Sequence, residues 1–194
     1  MKKLFTYMLS AACSLTFMLN AVEPYDSIHT VAYEGYTLQD SYTLYSEVIS
    51  QGTTVFIDVG SVDGAAARYI AANTNGSVRI YNVNSWGATD HSFQKFLSNV
   101  LQENQSQNIT PIRMSALEAS SDLNLVSECI FMDPTNADSI YDEILAWAYH
   151  LTPHGVIVGN HWEWLEVELE VVKAASQLNF SLTLNGTYWF LKHQ

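Results

Sequence analysis

Positive charge is scarce in this chain: eight Lys and Arg stand against twenty Asp and Glu over 194 residues, a net charge of −12. That balance argues against nucleic acid and anionic membranes as partners, because both would be repelled. Cysteine is scarcer still, with only Cys13 and Cys129. Cys129 lies in an apolar run, where a buried thiol is expected. Four prolines and nine glycines exclude a collagen-like or Pro/Gly-rich chain. Beyond the first 21 residues no apolar run is long enough to span a bilayer.

Those 21 residues stand apart. Met1-Lys2-Lys3 is a basic start, Leu4–Ala21 carries no charge, and Ala21 offers a small residue for cleavage before Val22-Glu23-Pro24. This is the pattern of a secretory signal peptide; the alternative is an uncleaved membrane anchor. The expected location is periplasmic or secreted, without stable membrane association once the segment is cleaved. Cleavage would take the charge from −12 to −14 and leave Cys129 alone, so no internal disulfide is expected.

Residues 22–52 read as a polar, Tyr-rich lead-in with a helix near 40–50 that places Leu44 and Val48 at helical spacing. From residue 53 the pattern becomes regular. Strands are expected at 53–59, 77–83, 109–113, 128–132 and 156–158, with Pro153-His154-Gly155 as a turn before the last. Helices are expected between them. Residues 91–103 place Phe93, Phe96, Leu97, Val100 and Leu101 on one face, and 139–151 form a helix carrying Ile140, Ile144, Trp147 and Leu151 in register. Residues 163–178 form a helix carrying Leu165, Leu169, Val172 and Ala175, with Glu163, Glu166 and Glu170 on a solvated face. Asn185-Gly186 between two short strands signals a closing hairpin. Alternation of this kind gives an α/β domain over 53–194: a mostly parallel, seven-stranded sheet with an antiparallel C-terminal hairpin and helices on both faces. Ligands of such sheets bind beyond the carboxyl ends of the strands.

The first strand runs into Asp58-Val59-Gly60-Ser61-Val62-Asp63-Gly64, followed by a helix. Glycines let this backbone turn tightly and approach a ligand, and a helix start offers free N–H groups. The second strand ends at Asn84, where nucleotide folds usually place an acid for ribose hydroxyls. An amide can bond a hydroxyl but lacks the charge. Trp86 either lines the pocket or packs in the core.

Phe56 to Gly64 resembles the S-adenosylmethionine (SAM) loop of class I methyltransferases. Phe96–Val100, Ile109–Ala119, Cys129–Asp133, Ile140–Trp147, Gly155–Gly159 and Trp162 are similar to a bacterial subgroup of that family, so the likeness covers roughly 53–192. It implies a Rossmann-like fold and SAM as cofactor. By that resemblance Asp58, Gly60, Ser61 and Gly64 would shape the methionine end of the site and Asn84 would face the ribose. Ser115, Ala116 and Leu117 would lie by the adenine, and Asp133 near the sulfonium and acceptor. The chain departs from the subgroup at Asn84, at Pro134-Thr135-Asn136 and at Gly159-Asn160-His161-Trp162, where carboxylates and a histidine are replaced.

Asp133 and His161 are the candidate catalytic pair, with His161 as base, since imidazole titrates near neutrality. One carboxylate makes a poor hard-cation site, so no metal is expected. The implied function is methyl transfer to a small-molecule acceptor. The alternative is an exported, non-catalytic binding protein on the same scaffold. A nucleotide-linked oxidoreductase would need a Gly-x-Gly-x-x-Gly loop, which is missing. Gly60→Arg is expected to block ligand binding and leave a folded domain.

Overall fold

The computed structural model describes residues 24–28, 41–87, 90–135 and 137–194. The leader at 1–21, most of the lead-in between 22 and 40, and Asn136 lie outside the described residues.

Seven strands form one sheet: β1 (Val55–Val59), β2 (Arg79–Val83), β3 (Ile109–Ile112), β4 (Ser127–Met132), β5 (Leu151–Gly159), β6 (Phe180–Asn185) and β7 (Tyr188–His193). Their order is β3-β2-β1-β4-β5-β7-β6. The first five run parallel, while β7 enters antiparallel between β5 and β6. Six α-helices accompany them: α1 (Ser41–Ser50), α2 (Ala65–Asn73), α3 (Asp90–Gln102), α4 (Ala116–Asp122), α5 (Ile140–Ala148) and α6 (Leu165–Leu178).

Strand alternation sorts the core into two layers. Phe56, Ile80, Phe131, Val158 and Phe190 face α1, α2 and α3, where Leu44, Val48, Ile70, Phe96 and Val100 are buried against them. Ile57, Val83, Met132, Ile157 and Leu191 face α4, α5 and α6 through Ala119, Ile144, Trp147 and Val171. Tyr25, from the described part of the lead-in, belongs to the first layer: it is buried, and its hydroxyl donates to the Ile109 carbonyl at 2.7 Å. At the same, amino end of the strands the Glu128 carboxylate accepts from the Thr54 and Val55 amides, each at 3.0 Å, fixing β4 beside β1.

The helix expected over 139–151 ends at Ala148, and Leu151 opens β5 by pairing with Ser127. Two further expectations are corrected. Pro153-His154-Gly155 is not a turn but lies within β5. Leu151 pairs with Ser127 and Val156 with Cys129, so residues 152–155 bulge opposite Glu128 alone. Proline tolerates such a bulge because no ladder bond is asked of it. The second concerns α6. Its buried positions are Val167, Val171, Ala174 and Ala175, whereas Leu165 and Leu169 are 61% and 60% exposed and Val172 48%. The helix is apolar on two opposite faces, and helical spacing alone does not choose between them.

Candidate active site

Between β1 and β4 the connections leave in opposite directions, to β2 on one side and to β5 on the other. A crevice opens at the carboxyl ends of strands at such a point. Here it is walled by Gly60 from β1, Asn84 and Ser85 after β2, Ser115 and Ala116 at the start of α4, and Met132 to Thr135 after β4. Ser139 and Glu143 close it from the α5 side, around about 190 Å³. Two carboxylates, Asp133 and Glu143, line it, and among the described residues no Lys, Arg or His does.

Gly60 fixes the shape of one wall. Its φ is +97°, and a Cβ there would sit 2.5 Å from the Asp133 carbonyl oxygen. Backbone approach of β1 to β4 is therefore possible only without a side chain. The expectation that Gly60→Arg would leave a folded domain is thereby corrected: even a methyl group displaces Asp133. Gly64 is likewise left-handed, at φ +71°, with the Phe96 ring where its Cβ would be.

Asp58 does not reach the crevice. It is fully buried beneath the loop, where Oδ2 accepts from the Ala67 amide of α2 at 3.0 Å and from Asn82 Nδ2 at 2.8 Å. Burial pushes its carboxyl up to about 7, opposed by the neighbouring Ser61 hydroxyl and reinforced by the negative charge of Asp133. Ser61 is also buried and lines neither crevice wall. Both act from behind the loop.

Asn84 reaches the crevice but is already engaged. Its Nδ2 donates to the Gly60 carbonyl at 2.8 Å, and its Oδ1 accepts from the Trp86 amide at 2.6 Å. The Trp86 indole donates to the Val62 carbonyl at 2.7 Å and packs on Phe93 and Phe96, which places Trp86 in the core. This amide and indole latch the β1 loop to the end of β2. Ser115 and Ala116 line the crevice, while Leu117 does not and is 40% exposed. Ser115 caps α4, exchanging bonds with Glu118 in a capping box.

A second hollow of about 360 Å³ adjoins the first, sharing Gly60, Asp133, Pro134 and Thr135 and adding Val62, Asp63, His161 and Trp164. His161 has a left-handed backbone, φ +61°, and its ring stacks on Trp164 with centroids 3.9 Å apart. Its Nε2 lies 3.3 Å from Asp133 Oδ1, an ion-pair contact rather than an aligned hydrogen bond, and Nδ1 lies 3.4 Å from Glu163 Oε1. Asp133 holds the imidazole above its ordinary pKa; partial burial opposes this and Glu163 adds to it. The C-terminal hairpin props this loop. The Trp189 indole occupies the space a Gly159 side chain would take and donates to the Asn160 carbonyl at 3.0 Å, while the Trp162 amide donates to Thr187 at 3.0 Å.

The sequence-derived pair Asp133 and His161 thus meets, and Gly60, Asn84, Ser115 and Ala116 share one crevice with Asp133. Glu143, Glu163 and Trp164 were missed. Ser139 and Glu143 stand four apart at the start of α5, joined by a 2.7 Å hydrogen bond, a spacing that sequence offers as a helix start without saying what it faces. Among the described residues no group of three or more His, Cys, Asp or Glu is placed to hold a metal ion.

Solved structures resemble the chain over nearly its full length. Precorrin-6y C5,15-methyltransferase from Geobacter metallireducens superposes with a TM-score of 0.67 at 15% identity, covering 86% of this chain and 92% of that one. The O-methyltransferase from Bacillus cereus, in complex with SAH, gives 0.63 at 13%, covering 96% and 89%. A SAM-dependent O-methyltransferase from Thermotoga maritima gives 0.64 at 15%, covering 84% and 68%. The fold is that of the class I methyltransferases. The expected seven-stranded α/β architecture is therefore observed. No protein-family profile matches the sequence, and no curated protein matches it.

Proposed function

We propose that this methyltransferase-fold chain is a SAM-dependent methyltransferase acting on a hydroxyl of a small molecule. The carrying observation is the pair of adjoining hollows that share the Gly60–Asp133 wall, one lined by carboxylates without a cation and the other holding His161. The first suits a ligand with positive sulfonium and ammonium groups and disfavours one carrying phosphates. Gly60, Ser115 and Ala116 would bound the ligand, with Asp133 and Glu143 supplying complementary charge. When bound, SAM supplies an electrophilic methyl group.

The chain's own residues align the acceptor and take its proton. Glu163 is 53% exposed on its side chain and makes the longer contact with His161. An acceptor hydroxyl that displaces it meets Nδ1, which takes the proton, while Nε2–H remains toward Asp133 and steadies the imidazolium. Trp164 holds the ring plane.

Calorimetry with SAM and S-adenosylhomocysteine, followed by a methyl-transfer assay on a panel of phenols and alcohols, tests this. Micromolar binding and transfer are expected, with Glu143→Gln weakening both ligands about fivefold, roughly 1 kcal/mol. Affinity weaker than millimolar for both ends the reading. A second reading, a non-catalytic binding protein, is favoured by Asn84, whose amide is spent on Gly60 and Trp86 rather than left as a charged hydroxyl acceptor. Tight binding without transfer to any acceptor would select it.

A further inference from the structure

The outer face of α6 is an apolar feature that the proposed function does not use. Leu165, Leu169 and Val172 follow one another at four- and three-residue spacing, exposed by 61%, 60% and 48%. They lie opposite the buried stripe of Val167, Val171 and Ala174. Covering three aligned branched side chains that now face water would be favourable.

The surface beside them has shape and charge. A groove of about 530 Å³ runs between α5 and α6, with Ala137, Tyr141 and Leu169 supplying its apolar wall. Asp138, Asp142, Glu166 and Glu170 rim it against one cation, Lys173. That lysine is spoken for: its ammonium lies 3.3 Å from Glu170 and 3.8 Å above the Tyr141 ring. The groove is thus an apolar strip inside a negative rim. A second copy of this chain would bring its own negative rim and its net −12 against the first, an unfavourable pairing. An anionic lipid surface fails for the same reason.

We infer that the α5–α6 groove and the Leu165–Leu169–Val172 stripe dock a basic amphipathic helix of another protein. Such a helix lays an apolar face on the stripe, reading three- and four-residue spacing, and meets the carboxylate rim with Lys or Arg. The surface is separate from His161 and does not depend on the proposed catalysis.

The probe is a synthetic 14-residue amphipathic helix of Leu and Lys, compared with a Leu/Glu peptide of identical apolar pattern. Titration by fluorescence anisotropy should give a Kd on the order of 10–100 μM for the Lys peptide at low salt. Affinity should weaken at least fivefold both in Leu165→Ser/Leu169→Ser and in Glu166→Gln/Glu170→Gln. Asp26→Asn/Asp122→Asn, which removes exposed acids elsewhere, should leave it unchanged. Matched thermal melts show that each variant is folded, and the two groove variants fail independently of one another. Equal weakening by Asp26→Asn/Asp122→Asn, equal binding of the Leu/Glu peptide, or insensitivity to either groove variant overturns the proposal. Sedimentation showing a dimer that Leu165→Ser/Leu169→Ser dissolves would also overturn it, assigning the face to a second copy.

Discussion

Raising the pH from 5 to 8 should destabilise this protein, and Asp58 is the reason. Its carboxyl is fully buried, with two donors on Oδ2 and no hydrogen bond of normal geometry on Oδ1. Burial raises its pKa from 3.8 to about 7. Between those values the folded chain holds one proton more than the unfolded chain, so the free energy of unfolding falls by about 1.4 kcal/mol per pH unit as pH rises. Above about pH 7 Asp58 is ionised in both states and the slope vanishes, so the loss between pH 5 and pH 8 comes to about 3 kcal/mol. His161, raised chiefly by its contact with the Asp133 carboxylate, adds a loss in the same direction that begins only above about pH 6.5. Two groups run the other way. Glu118 is lowered by the Ser115 hydroxyl, and Glu128 is lowered by backbone amides against the effect of its partial burial. Their contribution is complete above about pH 4.5 and is lost on further acidification. Stability should therefore peak near pH 5. Urea melts should place the midpoint about 1.5 M lower at pH 8, taking a slope of about 2 kcal/mol/M. Asp58→Asn keeps an oxygen for Ala67 and Asn82 and turns an NH₂ toward Ser61 Oγ, which makes no hydrogen bond of normal geometry. That variant should match the parent at pH 5 and exceed it by about 3 kcal/mol at pH 8. If parent and variant lose the same stability between these pH values, Asp58 is not the titrating group and the reasoning fails.

Gly60→Ala places a methyl group against the Asp133 carbonyl in a left-handed backbone; a loss of about 3 kcal/mol is expected in denaturant melts, together with weaker S-adenosylhomocysteine binding in calorimetry. Asp133→Asn removes the main cause of the raised His161 pKa, so the acid limb of the pH–rate profile should move to lower pH; an unmoved limb would detach His161 from the chemistry. His161→Ala should lower turnover while the calorimetric affinity for SAM stays unchanged.

Much of the architecture could be read from spacing. Ile140, Ile144 and Trp147 become buried as one register of apolar residues along their helix, and Leu44 and Val48 do so in theirs although Tyr42 and Ile49 offer a second apolar face that stays exposed. The helix Leu165–Leu178 offers two, and only the packing of Val167, Val171 and Ala174 on the sheet decides between them. Pro153-His154-Gly155 carries every local mark of a turn, yet the pairing of Leu151 with Ser127 draws it into β5 as a bulge. The site was legible in part. Gly60, Asn84, Asp133 and His161 follow from their places at strand ends, which topology converts into nearness. Asn84 shows the limit: its residue type reports a missing charge, whereas its engagement with Gly60 and Trp86 emerges only in three dimensions. Glu143 belongs to the same class, since nothing local tells which side of a helix start meets a crevice.

The anchoring of the histidine loop has a practical outcome. Its props, Trp189 and Thr187, belong to the β6–β7 ribbon at the margin of the sheet, while the Gly60 crevice rests on central strands. Margins open at lower free energy than centres. On the proposed function, gentle warming should therefore silence proton removal before the Gly60 crevice loses its ligand, so the two capacities would be lost one after the other.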